Sequence, residues 1–235
     1  MKMISGVYWE RGLRSSNQDS VMLQQVMTGH GRIFMAAVSD GIGGLLEGET
    51  ASGYILEQLN SFFYDQVVRL ICQKKKAASL KRGIIRCMYQ MNQDLNAYAK
   101  VREIRLGATV SLILIWKRRY MIVHLGDSRI YGCTPGRLKQ LTIDHAGNGG
   151  LLKCMGSFGF QYPDIQWGRI WREQGFLLCT DGFFRKMNER EAVQVLSPKE
   201  IKEELQIERR LKSMGEVALK RGEEDNCSAV YVKVW

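Results

Sequence analysis

Five short acidic motifs are spread along the 235-residue sequence, and each contains an aspartate whose carboxylate could take part in chemistry. They are Asn17-Gln18-Asp19, Asp40-Gly41, Gly126-Asp127-Ser128, Asp181-Gly182 and Glu224-Asp225-Asn226. Aspartate is disfavoured inside strands, yet several of these motifs adjoin apolar, strand-like runs, so their positions need a reason. Carboxylates and backbone carbonyls are the ligands that hard divalent cations prefer, and a neighbouring glycine lets the backbone approach an ion. The motifs therefore predict a cation site built from oxygen ligands.

The stretches between the motifs predict the elements that must position these aspartates. Apolar and β-branched runs predict strands at residues 4–9, 19–26, 33–39, 176–180 and 227–234, and a meander of strands between residues 108 and 133. Apolar residues spaced three and four apart predict helices at 49–70 and about 79–101, and two or three helices within 188–219. This order is typical of an α+β fold with two sheets and helices outside them.

Composition predicts one domain covering residues 1–235. The chain is 45% hydrophobic, and its three prolines and the lack of a Ser/Gly-rich tract leave no obvious linker. Six cysteines without a C-x-x-C pair favour reduced thiols in a cytoplasmic protein. No apolar run approaches the roughly 18 residues of a membrane span, so we expect no membrane insertion, and we expect a monomer.

The formal net charge of +10 predicts attraction to acidic or phosphorylated partners. Two basic runs, at residues 74–76 and 117–119, fall in a predicted interhelix loop and a predicted hairpin turn, where charge runs are usually solvated. The sequence gives no basic face interleaved with aromatic residues, so we do not expect a nucleic-acid partner.

Taken in order, the motifs resemble the metal-dependent PP2C (PPM) family of protein serine/threonine phosphatases. The resembling segments are GLRSSNQDS, VSDGIGGLLEGETAS, GATVSL, VHLGDSRIYGC, LTIDH, LLCTDGFF and EDNCSAVYV, which together span nearly the whole chain. The resemblance implies a four-layer α-β-β-α sandwich, in which helices flank two central, mostly antiparallel sheets. It also implies hydrolysis of phosphoserine and phosphothreonine in proteins, in opposition to a bacterial Hanks-type serine/threonine kinase.

The resemblance also assigns metal-binding roles. Asp40 would bridge two Mn²⁺ or Mg²⁺ ions, the carbonyl of Gly41 would contribute to one of them, and Asp181 and Asp225 would complete the set. Asp127 matches the position that binds a third ion in bacterial members. Ligands that are all oxygen agree with these hard ions rather than with zinc.

Three further residues receive supporting roles. Asp19 matches an acidic residue that acts through a coordinated water, and Arg14 matches the family's phosphate-binding arginine, whose planar fork suits two phosphate oxygens. Asn226, beside Asp225, is expected to hold that carboxylate or a metal-bound water by hydrogen bonds.

The sequence departs from the family pattern at several positions. Gln18 stands where a glutamate is usual, Ile42 and Leu45 stand where some members have a histidine, and residues 146–180 resemble the family only loosely. These departures motivate an alternative function, a regulatory or phosphopeptide-binding module with little hydrolysis. A nucleotide-binding loop at Gly41–Gly44 is a weaker alternative, because Leu46 replaces the third glycine of that motif and no Walker lysine follows.

Simpler interpretations also apply to single residues. An isolated Asp-Gly such as Asp40-Gly41 is commonly a turn, and Asp127 could form a turn paired with Arg129. His124 and His145 are predicted to be hydrogen-bonded structural residues rather than ligands.

Overall fold

The computed structural model describes residues 1–42, 47–147, 150–156 and 159–235. The predictions that concern Leu45 and Leu46 fall outside these residues and stay predictions.

Two five-stranded sheets form the centre of the protein. The described residues contain the strands β1 (Met3–Glu10), β2 (Asp19–Thr28), β3 (Gly31–Asp40), β4 (Val110–Trp116), β5 (Arg119–Leu125), β6 (Arg129–Thr134), β7 (Arg137–Gln140), β8 (Ala146–Gly147), β9 (Gly150–Leu151), β10 (Asp164–Arg169), β11 (Gln174–Cys179) and β12 (Cys227–Val234). The first sheet has the order β1-β12-β11-β6-β7, the second sheet has the order β10-β5-β4-β3-β2, and β8 pairs with β9 alone. All neighbouring strands in these sheets are antiparallel.

Helices cover the outer faces of both sheets. The second sheet carries α1 (Gly48–Phe62), a π-helical turn (Phe63–Val67), α2 (Val68–Cys72) and α3 (Ala77–Arg102). The helical segments that follow β11 are α4 (Asp181–Phe184), α5 (Glu189–Val195), a 3₁₀ turn (Pro198–Glu200) and α6 (Glu204–Lys220), and this group covers the first sheet. The helix predicted at 49–70 is therefore continuous with α2 but passes through one wider π turn.

Three apolar cores account for the four layers. The core between the sheets contains alternate residues of the central strands, such as Ile113, Phe176 and Val232. One outer core packs α1–α3 on the second sheet, and the other packs residues such as Leu211 of α6 against the first sheet. Because strand side chains alternate between the two faces, each central strand contributes to two cores. The predicted four-layer α+β sandwich is confirmed.

The strands that the sequence did not predict are short or lie at sheet edges. β7 and β10 each close one edge, and their half-exposed, polar residues lack the apolar run of a central strand. β8 and β9 have two residues each. The described residues include no helix that is both long and apolar enough to cross a membrane.

Candidate metal centre

Asp40 is the last residue of β3 and lies at the mouth of a cavity between the two sheets. Its backbone is fixed on both sides, because its N–H donates to Thr109 Oγ1 (3.0 Å) and its carbonyl accepts from the Thr109 N–H (2.9 Å). At Gly41 a Cβ atom would lie 2.3 Å from the carbonyl oxygen of Gly48, so this close approach requires glycine. Burial, then the charges of Asp19 and neighbouring carboxylates, raises the pKa of Asp40 well above its usual range.

Asp19 lies directly opposite Asp40 in the β2–β3 ladder and is only 3% exposed. The Thr180 hydroxyl donates to its Oδ2 (2.8 Å), whereas Oδ1 is buried with no hydrogen-bond partner in the described part of the chain. Burial, together with the charges of Asp181 and Asp225, raises the pKa of Asp19 to about 7. An unpartnered buried carboxylate oxygen is costly, and a nearby cation would relieve that cost.

Asp181 begins α4 directly after the buried strand β11. At the next residue, Gly182, a Cβ would lie 2.1 Å from the Asn226 carbonyl oxygen, so the turn packs tightly against the loop that carries Asp225. Burial raises the pKa of Asp181 to about 6, although the charge of Arg185, with which it forms an ion pair, acts in the opposite direction.

Asp225 precedes β12 and forms a two-bond ion pair with Arg14. Arg14 Nε and Nη2 lie 3.0 Å from Oδ1 and Oδ2 of this carboxylate. Asn226 holds the Asp225 carboxylate through its backbone N–H, which donates to Oδ1 (2.9 Å), whereas its side-chain amide donates to the carbonyls of Arg11 and Ser16. Its Oδ1 accepts from the Gln18 N–H (2.8 Å), so Asn226 holds the loop that presents Arg14.

Asp127 follows β5 and lines the same cavity. Burial raises its pKa. The alternative in which Asp127 pairs with Arg129 is wrong, since Arg129 donates to both carboxylate oxygens of Asp144, at 2.6–3.0 Å. Arg129 also stacks over the Phe184 ring at 3.7 Å, which ties the start of β6 to α4.

The cavity has a volume of about 280 Å³ and collects most of the predicted site residues from distant parts of the sequence. It is lined by Arg14, Asp40, Gly41, Asp127, Asp181 and Asp225, and Asp19 lies behind Asp40. Among the described residues no three acidic, histidine or cysteine side chains already stand together around one point as metal ligands would. Asp181 and Asp225 are instead paired with Arg185 and Arg14.

These residues nevertheless fit hard divalent cations. The donors around the cavity are carboxylate and carbonyl oxygens, which suit Mg²⁺ or Mn²⁺. Burial, and to a smaller extent the neighbouring carboxylates, raises the pKa values of Asp19 and Asp40, and Oδ1 of Asp19 has no hydrogen-bond partner in the described residues, so a bound cation would stabilise these groups in their charged form.

The two histidines near the site make structural hydrogen bonds. His124 lies between Ser111 Oγ (2.9 Å from Nδ1) and the Ile143 carbonyl (3.0 Å from Nε2). His145 accepts from the Gly126 N–H and stacks on His124, with 4.9 Å between ring centroids.

Arg185, Glu223 and Thr180 are the site residues that sequence reasoning missed. Arg185 lies four residues after Asp181, a spacing that places the two side chains side by side once α4 is known to begin at Asp181. Neither Thr180 nor Glu223 belongs to a pattern that could reveal its partner.

The raised carboxylate pKa values give the metal-free protein an unusual pH dependence. Asp19 and Asp40 have folded-state pKa values above those of the unfolded chain, so the folded state binds more protons, and its stability is lost as pH rises through the folded pKa. Between about pH 8 and pH 6.5 we therefore expect the thermal midpoint of EDTA-treated protein to rise by about 5 °C as pH falls.

Below about pH 6.5 this rise should become shallower, because burial lowers the pKa values of His124 and His145, and their protonation in the unfolded chain then offsets part of the proton uptake by the folded carboxylates. Differential scanning calorimetry would measure the thermal midpoint across both pH ranges, and Asp19→Asn should make the change between pH 8 and pH 6.5 smaller. A midpoint that falls steadily from pH 8 to pH 6.5 would contradict the assignment.

The sequence of this chain is similar to those of known phosphatases. Residues 11–221 match the family model described as protein phosphatase 2C. The serine/threonine protein phosphatase PstP of Mycobacterium tuberculosis is 24% identical over 247 aligned positions, which cover 96% of this chain and 44% of that protein. The chain thus spans less than half of the length of this curated relative.

Solved structures share the fold over essentially the whole chain. The serine/threonine phosphatase Stp1 from Staphylococcus aureus superimposes with a TM-score of 0.85 at 20% identity, covering 100% of this chain and 96% of that one. The catalytic domain of PstP, solved in complex with two manganese ions, gives a TM-score of 0.77 at 24% identity, with 99% of both chains covered.

Proposed function

Since this chain belongs to the protein phosphatase 2C family, we propose that it hydrolyses phosphoserine and phosphothreonine in proteins at a centre of two divalent metal ions. The observation that carries the proposal is the convergence of four distant aspartates and one arginine on a single cavity. The names of the relatives support the reaction, because they are serine/threonine phosphatases.

In this proposal Asp40, the carbonyl of Gly41, Asp181 and Asp225 hold two Mn²⁺ or Mg²⁺ ions. Two such ions supply a nucleophilic water at neutral pH and stabilise charge on the phosphoryl oxygens during an in-line displacement. Asp40 would contribute to the binding of both ions, and Asp127 would hold a third ion. Asp19, behind Asp40, contributes negative charge and an acceptor for an ordered water at its unpartnered Oδ1.

Arg14 anchors the substrate phosphate. Its guanidinium already binds the two oxygens of Asp225 in a fork, and a phosphoryl group offers the same two-oxygen edge. The loop of residues 11–18 is held by Asn226 and by Gln18, whose carbonyl accepts from the Gly41 N–H (3.0 Å). Arg14 is therefore tied to the same backbone that positions Gly41.

The proposed physiological role is the reversal of a bacterial Hanks-type kinase in the cytoplasm by a monomeric enzyme. The bacterial relatives are named serine/threonine phosphatases, which supports substrates that a serine/threonine kinase has phosphorylated. The six cysteines, four of them buried, form no disulfide among the described residues, which agrees with a reducing compartment.

Hydrolysis assays test the function directly. We expect Mn²⁺ or Mg²⁺ to support turnover of p-nitrophenyl phosphate and of a phosphothreonine peptide, and excess EDTA to remove it, because carboxylates alone cannot activate water or neutralise the phosphoryl group. A phosphotyrosine peptide of the same sequence is the matched control for substrate class.

The competing function, a phosphopeptide-binding module, has its own signature in this assay. It is favoured by the ion pairs of Arg14 and Arg185 with the predicted ligands, and by Gln18, which donates to Glu49 (3.1 Å) in place of adding a carboxylate. Folded, Mn²⁺-loaded protein that binds the phosphothreonine peptide by calorimetry without turning it over would make this module the better conclusion.

A further inference from the structure

Arg185 contacts three acidic residues around the candidate metal centre at once. Its Nη2 donates to Asp181 Oδ2, its Nη1 donates to Glu223 Oε1 (2.9 Å), and Nη1 lies 3.7 Å from Asp225 Oδ2. Two of these partners are the residues that, in the proposed function, hold metal ions. A guanidinium keeps its charge at any pH that the folded protein experiences. Arg185 and a divalent cation therefore compete for the same carboxylates.

Glu223 offers Arg185 a second position. The Glu223 side chain is 4% exposed, and its Oε1 accepts from Arg185 and from the backbone N–H groups of Glu224 and Asp225, both at 3.2 Å. Its other oxygen, Oε2, is buried and has no hydrogen-bond partner in the described residues. A buried carboxylate oxygen without a partner is costly, so Oε2 is an available acceptor close to the guanidinium.

The fork of Arg185 can therefore be used in two ways. With Nη2 on Asp181, the guanidinium bridges Asp181 and Glu223, as the structure has it. With Nη2 released from Asp181, the same group can bond both oxygens of Glu223 in a two-bond pair. The Arg185 side chain is 44% exposed, which leaves room for this small rotation.

We propose that Arg185 is an exchangeable counter-cation of the metal centre, which neutralises Asp181 in the metal-free protein, beside the separate Arg14–Asp225 pair, and moves onto both oxygens of Glu223 when metal binds. The inference rests on the proposed metal-dependent function. It makes Arg185 and Glu223 positioning residues that set metal affinity in opposite directions, because Arg185 competes with the ion and Glu223 draws Arg185 away from it.

Calorimetric titration of Mn²⁺ into EDTA-stripped, desalted protein tests the exchange without any activity measurement. We expect Arg185→Gln to bind Mn²⁺ about 3- to 10-fold more tightly and to melt at a lower temperature than wild type when metal-free. Glu223→Gln should bind Mn²⁺ about 3- to 10-fold more weakly, because Arg185 then loses its alternative acceptor. In the Arg185→Gln background, the Glu223→Gln change should no longer alter Mn²⁺ affinity.

Arg190→Gln is the matched control, since it removes the same charge from an exposed residue of the neighbouring α5. Its Mn²⁺ affinity should stay at the wild-type value. Arg185→Lys covers the case in which Arg185→Gln fails to fold, because lysine keeps the charge but cannot make the two-bond pair with Glu223, and Mn²⁺ should bind no more tightly than to wild type.

Two outcomes overturn the inference. Equal shifts of Mn²⁺ affinity in the same direction for Arg185→Gln and Glu223→Gln would show a merely structural ion pair. An unchanged affinity in Arg185→Gln would show that the guanidinium does not compete with metal. If the wild type itself binds no Mn²⁺, both the proposed function and this inference fail. Either of the two outcomes above, in protein that does bind Mn²⁺, would overturn only the role of Arg185.

Discussion

Asp40→Asn is expected to reduce Mn²⁺-dependent hydrolysis by about 10³-fold or more, an increase of roughly 4 kcal/mol in the activation barrier. The substitution keeps the shape of the side chain but removes the negative charge that, in the proposed function, would help to hold both metal ions. The fold should survive, because Asp40 is held through its backbone by Thr109 and not through its carboxylate. Removing one of several crowded carboxylates should even stabilise the metal-free protein.

Steady-state kinetics on the phosphothreonine peptide at saturating Mn²⁺ measure this loss. Asp65→Asn, an exposed residue in the π-helical turn, is the matched control and should leave kcat/KM unchanged. Asp40→Asn protein that keeps turnover within about tenfold of wild type would remove Asp40 from the reaction.

Arg14→Ala is expected to lower kcat/KM by about 10- to 100-fold, which is the worth of a two-bond, charge-assisted contact to a phosphate. The loss should be carried mainly by KM for the peptide, because Arg14 binds the phosphate before and during the reaction. Arg14→Lys should recover only part of the activity, since an ammonium group lacks the planar fork.

Arg11→Ala is a close control for this experiment. Arg11 is exposed on the same loop and does not line the cavity; alanine retains the backbone carbonyl that contacts the Asn226 amide and removes only a long side-chain contact with the Ser15 carbonyl (3.4 Å). Equal losses for Arg11→Ala and Arg14→Ala would point to a disturbed loop in place of a lost phosphate contact.

The juxtaposition of Asp19 and Asp40 shows how much of the site can be read from sequence. The Gly29-His30 turn joins β2 and β3 so that Thr28 faces Gly31, and the ladder then pairs Asp19 with Asp40 without a bulge. Register follows from the turn and from the alternation of strand residues, so this pairing could be counted along the chain. The positions of the strands β3, β11 and β12 were equally predictable, because each is a long apolar run.

The ion pairs around the site could not be predicted by counting along the chain. Arg14 meets Asp225 across 211 residues and Arg185 meets Glu223 across 38, and no local period connects either pair. The edge strand β10 was also missed, because three of its six residues are exposed and the other three are only partly buried, without the alternation that gives a strand a clear apolar face. Side-chain pairings of this kind depend on how the loops pack, and loop packing has no sequence periodicity from which it could be predicted.

The place of β12 in the first sheet governs when this site can come into being. β12 lies between β1 and β11 and pairs Met3 with Val234, so the sheet closes only when two segments some 230 residues apart have met. Such non-local pairing is slow, because the chain loses conformational entropy in bringing the two segments together before their contacts can stabilise the sheet. During synthesis β1 and β11 lack their shared neighbour until β12 has been made, and Asp225 directly precedes that strand. A chain lacking this strand and the loop before it would hold an open sheet and would lack Asp225, so in the proposed function its set of metal ligands would be incomplete.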